Sequence, residues 1–233
     1  MRNLFFVTIA FLFFVSCTGV NGSGNIITEK RNVDDFKGVA AGGAFEVELT
    51  NGPYAVEVEA DDNIMKFIST EVENGVLEIR TKSGYHFNNA HTKIYVAAPE
   101  IKLLKSSGAA TIKARDLLKS DGKITLESSG SASIEAEVDA PEVKAESSGA
   151  SNIKIKGRTR EYNASTSGSA DIKSSDLLSE RTEADASGAS SIHLHASVNL
   201  SAEASGAANI YYRGAANVQQ KTSGAAVVKK EEE

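Results

Sequence analysis

From Leu104 onward the chain alternates small apolar and polar residues with a period of two. One parity class reads Ile124, Leu126, Ser128, then Val143, Ala145, Ser147, then Tyr162, Ala164, Thr166. The other reads Thr125, Glu127, then Lys144, Glu146, then Asn163, Ser165. That period belongs to strands with one face inward and one outward. Each run ends at Ser-Gly, and a second alternating run follows. Its inward positions are Ala110/Ile112, Ala132/Ile134, Ser151/Ile153, Ala170/Ile172, Ser190/Ile192, Ala208/Ile210 and Ala226/Val228.

The punctuation is itself a repeat. Ser-Gly-[Ala/Ser]-[Ala/Ser]-x-[Ile/Val] begins at Ser107, Ser129, Ser148, Ser167, Ser187, Ser205 and Ser223, at spacings of 22, 19, 19, 20, 18 and 18 residues. Each unit holds two short strands and a corner, and no unit has room for a helix. Gly supplies the backbone conformation that a sharp corner demands. The expected fold is all-β: a right-handed single-stranded β-helix of about seven 18–22-residue coils. Each strand pairs with its equivalent one coil away, about 4.8 Å along the axis, giving a rod on the order of 30 Å long.

Residues 33–104 are less regular. Strand-like runs cover Ala44–Thr50, Tyr54–Ala60, Val76–Thr81 and Thr92–Ala98, with Asn51-Gly52 and Asn74-Gly75 as turn dipeptides. Asp61-Asp62-Asn63 reads as the cap of a single helical turn. This part is expected to close the first exposed edge of a coil array that spans 105–228. Residues 229–233, Lys-Lys-Glu-Glu-Glu, form a charged tail that discourages edge-to-edge pairing.

Composition sharpens the picture. Five of the nine Phe lie within the first 14 residues, and there is no Trp. The remaining chain is aromatic-poor, as a narrow coil lined by Ala and Ser should be. Those first residues read as an export signal over 1–16, with Arg2 followed by an apolar stretch too short to span a bilayer. Val15-Ser16-Cys17 then resembles a bacterial lipobox, which implies acylation of Cys17, the chain's only cysteine. Residues 17–32 follow as the lipidated Cys and a flexible tether, small and polar through Gly24. Loss of 1–16 removes one positive charge from the net −6. So acidic a chain is a poor fit to nucleic acid.

Outward parity after each Gly points to one candidate ligand surface: Lys154, Lys156, Lys173, His193, His195, Tyr211 and Arg213. Cations and one aromatic side chain on a shared face suit an anionic glycan, through charge-assisted hydrogen bonds and stacking. The competing reading is an ordinary solvated face. His193 and His195 lack a completing third ligand, so no metal site and no cofactor is expected. Seven serines without seven bases are no set of triads, and they read as corner residues bonding locally. Outward carboxylates are scattered among lysines rather than clustered, so no catalytic residues are assigned.

The chain resembles the head GIN domain family, a bacterial domain of unknown function also labelled an autotransporter adhesin. The resemblance rests on Phe36-Lys37-Gly38-Val39, Phe45-Glu46-Val47-Glu48-Leu49, Asn74-Gly75-Val76-Leu77-Glu78-Ile79, the serial Ser-Gly motifs and Ile210-Tyr211-Tyr212-Arg213-Gly214. It implies a β-helical fold, export to the cell envelope, often as a lipoprotein, and no catalytic residues. Nothing after Ser223 supplies the carboxy-terminal membrane barrel of an autotransporter. The expected protein is an outer-membrane lipoprotein with a non-catalytic, adhesin-like binding ectodomain. Its expected partners are the membrane, through the lipid, and polysaccharide or another envelope protein. A structural or accessory role in envelope polysaccharide handling is the second expectation, and a β-helical polysaccharide-processing enzyme the third.

Overall fold

The computed structural model describes residues 18–231. Cys17 and the signal at 1–16 lie outside the described residues, as do the last two glutamates of the tail. The described chain is a β-solenoid of stacked parallel coils.

Each coil has two legs meeting at the Ser-Gly corner. The legs before the Gly stack as Leu103–Gly108, Lys123–Ser128, Glu142–Gly149, the second half of Asn152–Gly168, that of Asp171–Ala186, then Asn199–Gly206 and Asn217–Gly224. The legs after the Gly stack as Thr111–Lys119, Ser133–Asp139, the first halves of the same two long strands, then Ser191–His195, Asn209–Arg213 and Val227–Lys230. Every pairing in both stacks is parallel, and next to the corner the rungs keep repeat register, as Ile134↔Ile153↔Ile172↔Ile192↔Ile210 shows; the ladder shifts only further along two of the legs, after Lys113 and after Lys154. The core is the thin space between the legs, filled by that Ile column facing Ile124, Leu126, Val143, Ala145, Ala164 and Ala184.

The corner glycines carry the ladder around the bend. Gly108, Gly130, Gly149, Gly168, Gly188, Gly206 and Gly224 all have φ between +73° and +81°. Each of the first six presents its carbonyl to the amide one coil on, as in Ser131 N→Gly108 O and Ala150 N→Gly130 O, both 2.7 Å. A Cβ on any of these seven glycines would stand 2.7–2.9 Å from the preceding corner's carbonyl oxygen. Only Gly meets both requirements.

An eighth corner lies upstream of the repeat. Gly38–Gly43 pairs with Leu103–Gly108, Gly43 facing Gly108, and Glu46–Asn51 pairs with the leg after it. Gly42-Gly43-Ala44-Phe45-Glu46-Val47 is thus a divergent copy of the motif, with buried Phe45 in the Ala110 place. Beyond it the array is closed by antiparallel strands. Ala55–Asp61 lies between Ile26–Arg31 and Thr92–Ala98, and Ile68–Glu73 pairs with Val76–Thr81 through an Asn74-Gly75 turn with both φ positive. Phe36, Phe45, Ile64, Met65 and Ile68 seal this end.

Three expectations differ from the structure. Residues 18–31 are not a tether: Thr18–Asn21 pairs with Tyr85–Asn88, and Ile26–Arg31 forms the outer antiparallel strand. Polar residues such as Asn21, Ser23 and Asn25 look like linker, but the Asn21 carbonyl and the Ser23 and Asn25 side chains bond to residues some 40 positions away. Asp61 and Asp62 do not cap a helix. The only helical turn among the described residues is the 3-10 segment Met65–Phe67, which has no side-chain cap. Nor does the coil exclude aromatics: Tyr162 is fully buried, with its hydroxyl donating to Ser174 Oγ at 3.0 Å.

Candidate functional site

The outward face of the legs after the Gly gathers part of the expected strip. Lys154, Lys173, His193 and Tyr211 form one column of the parallel ladder. His195 faces Arg213 in a second column. A register shift between Lys154 and Lys156 places Lys156 opposite Asp176, so it does not join the second column. The rings of His193 and Tyr211 stack, with centroids 4.8 Å apart and 26° between planes.

Most of the strip's charge is already answered. Lys154 Nζ donates to Glu135 at 2.8 Å and holds that carboxyl below its usual pKa range. Lys156 pairs with Glu137 at 2.9 Å, and the carboxylate raises the lysine. Glu231 takes His193 Nδ1 at 3.0 Å and lies 3.3 Å from Arg213 Nε, the latter without hydrogen-bond geometry. Lys173 and His195 have no acidic partner within 4.0 Å among the described residues. The strip is therefore a mixed-charge face, basic only at Lys173. The neutralising acids share the strip's outward parity, one coil earlier at Glu135 and Glu137 and in the tail at Glu231.

Beside the strip, at the opposite corner of the coil, lies a groove of about 670 Å³. The preceding coil turns here at Ala140-Pro141. The next coil does not break: Gly157, at φ +120°, lets Asn152–Gly168 run through the bend as one strand. Its missing side chain matters, because a Cβ would fall 2.0 Å from Val138 O. The uninterrupted strand presents Arg158 and Arg160 side by side with Leu178, Glu180, Asp139 and His195. Arg158 donates to Asp139 at 2.6 Å and lowers its pKa. Arg160 has no acidic partner within 4.0 Å among the described residues. Leu178 is 58% exposed, and Val198, bonded through its amide to Glu180 O, is also exposed. His195 Nδ1 is buried without a partner. An apolar platform ringed by planar polar groups is the composition of a small-ligand site.

His195 is the only member of the sequence-derived strip that reaches this groove. The other lining residues escape a parity reading that stops eight residues past each Ser, short of the second corner. The adjacent pair Leu177-Leu178, which breaks the alternation, is the available signal.

The serine column departs from its expected role. Ser107 and Ser187 reach carbonyls of the previous coil only at 3.5 and 3.4 Å. Local bonding falls to buried neighbours instead: Ser106 with Ala110 O, Ser147 with Ser151, and Thr166 with Ser190. The corner serines line two shallow furrows of about 290 and 350 Å³, together with Glu127, Glu146, Asp185 and Glu203. Among the described residues no three His, Cys, Asp or Glu side chains converge as metal ligands would.

Fold and surface together define an all-β solenoid whose outer faces, rather than an enclosed cavity, carry its recognisable chemistry. Residues 35–216 match the family described as "Putative auto-transporter adhesin, head GIN domain", and the chain belongs to that family. Solved structures share the fold. A putative adhesin from Bacteroides fragilis NCTC 9343 is 20% identical with a TM-score of 0.83, covering 91% of this chain and 99% of its own. A putative lipid binding protein from Parabacteroides distasonis ATCC 8503 is 20% identical with a TM-score of 0.76, covering 92% and 100%. A putative adhesin from the same organism is 26% identical with a TM-score of 0.69, covering 92% and 100%. No curated protein matches the chain.

Proposed function

We propose that this protein is a non-catalytic binding module of the bacterial cell envelope, held to the outer membrane by acylated Cys17. It recognises polysaccharide on the outer face of its carboxy-terminal coils. Membership of an adhesin head family supports surface binding as the task. The observation that carries the ligand class is the groove beside His195. There Leu178 offers an apolar surface for the face of a sugar ring, and Arg158, Arg160, Glu180 and Asp139 offer planar hydrogen-bonding groups around it. Lys173 and the stacked His193–Tyr211 pair extend the same face along the next coils. A glycan longer than one sugar would cross from the groove onto the strip. Arg160 and Lys173, cations of this face with no acidic partner within 4.0 Å among the described residues, favour an acidic polymer.

A glycan array probed with the mature domain is the test. Binding to acidic polysaccharide is expected. It should fall at least about tenfold, the worth of one good charge-assisted contact, in Arg160→Ala/Leu178→Ser and in Lys173→Ala/Tyr211→Ala/Arg213→Ala. Unchanged binding in both variants would remove this face from consideration. Labelled palmitate tests the anchor: wild type should incorporate it and Cys17→Ala should not.

A further inference from the structure

Thr18 N already donates to Gly84 O at 2.8 Å, and Gly22 N donates to Asn88 O at 3.1 Å. Between them Thr18–Asn21 runs parallel to Tyr85–Asn88. The next residues are fastened as firmly. Asp61, only 2% exposed, accepts Gly24 N at 2.6 Å with one carboxylate oxygen and His91 N at 2.7 Å with the other. Asn63 Nδ2 donates to Asn21 O at 2.8 Å, and Asp62 accepts from Ser23 Oγ and Asn25 Nδ2. The chain is thus bound to the folded body from the first residue after Cys17, with no slack between them.

We propose that this fastening seats the amino-terminal end of the solenoid directly against the phospholipid surface and directs the carboxy-terminal coils away from it. The inference rests on the acylation of Cys17. Acyl chains buried in the bilayer hold the modified cysteine at headgroup depth. The next Cα is about 3.8 Å further along the chain. The loop that receives Thr18, residues 82–85, must then lie within the headgroup layer.

The side chains around that loop suit such a place. Tyr85 is 37% exposed and lies against Phe67, with ring centroids 4.2 Å apart. Lys66 Nζ sits 5.0 Å from the centre of the Phe67 ring. Lys66 and Lys82 are exposed and have no acidic partner within 4.0 Å among the described residues. Aromatic rings at headgroup level beside unpaired lysines form an interfacial pattern, and the lysines favour anionic lipid. The groove and strip belong to the later coils. Seven stacked steps separate Gly43 from Gly224, roughly 30 Å at a strand spacing near 4.8 Å. A lipid-anchored module so seated holds its ligand face clear of its own membrane.

The absence of Trp makes the test direct. Tyr85→Trp, Ser83→Trp and Tyr212→Trp are made separately in the full chain. Each is purified from membranes and placed in phosphatidylethanolamine/phosphatidylglycerol vesicles containing brominated lipid, with palmitate incorporation measured in parallel. Quenching of the introduced tryptophan is expected in the Ser83 and Tyr85 variants but not in the Tyr212 variant. A Gly/Ser linker of about ten residues inserted between Cys17 and Thr18 should restore emission in the first two. The Ser83 variant guards against a Tyr85 replacement that disturbs the Phe67 stack. Palmitate incorporation with no quenching in the Ser83 and Tyr85 variants, or with equal quenching in the Tyr212 variant, overturns the seating while leaving the anchor intact. A chain without palmitate overturns the anchor and the seating together.

Discussion

Tyr162 fills a place that its stacked neighbours give to Val143 and Thr182. Its ring takes up volume that small residues around it leave, and its hydroxyl enters a chain that passes through Ser174 Oγ to His193 O. Burial pushes its pKa well up, so it stays a neutral donor. Glu48 shows the opposite case at the surface. It lies between Arg115 and Lys93, each on a neighbouring strand, and their hydrogen bonds lower its pKa from 4.5 to about 2. The folded-state value lies below the unfolded one, so the contribution is complete above pH 4.5. It is lost as pH falls from there toward 2. Glu48→Gln should cost about 1 kcal/mol near neutral pH once solvent screening is allowed for. Thermal melts should show the gap between variant and wild type closing by about pH 2. A gap that persists at about pH 2 would mean the loss is not ionic.

At the scale of the element, the corner outranks the legs. A leg tolerates Leu126, Ala145, Ala164 or Ala184 at one inward position. The corner tolerates Gly alone, because positive φ and the carbonyl of the coil before act together. Gly149→Ala should therefore destabilise by about 1–3 kcal/mol. Gly122→Ala, with nothing within 4 Å and no positive φ, should be near neutral. Urea unfolding of both variants checks this, and equal midpoints would show that the corner relaxes. The same contrast explains what is legible in the chain itself. Corner and Ile column repeat in sequence, so fold and register are visible from residue 104 onward. Gly42-Gly43 escapes the pattern because Phe45 replaces the small residue and no Ser precedes the Gly. The strands at 18–31 escape it because they alternate weakly and owe their order to Asp61, Asp62 and Asn63. In the candidate site, the Lys154–Lys173–His193–Tyr211 column follows from parity. The Arg158–Arg160–Leu178 groove does not, since it depends on a bend at Gly157 that only one other coil repeats with glycine, at Gly214, likewise nine residues past its Ser.

Across the whole molecule the two ends are unlike. The amino-terminal end is closed by antiparallel strands and by Phe36, Phe45, Ile64 and Met65, all buried. Among the described residues, the last coil has a ladder partner on one side only. Its inward column changes character there, with Gln220 after Ala202 and Thr222 after Ala204, and both are exposed. In a stacked array each coil gains stability from its neighbours on either side, so a terminal coil with one neighbour and a polar interior opens first. The Glu231 contacts with His193 and Arg213 resist this by tying the last strand to coils one and two layers below. Hydrogen exchange should accordingly run as a gradient. Amides in Asn217–Gly224 should exchange fastest and those in Glu142–Gly149 and Asn152–Gly168 slowest, with Gly38–Gly43 close to the slow class because the end above it is sealed. Glu231→Ala should steepen the gradient at Asn209–Arg213 and leave Glu142–Gly149 unchanged. Uniform protection from Gly38 to Gly224 would mean that the solenoid opens only as one unit and that its polar last coil is no weaker than its centre.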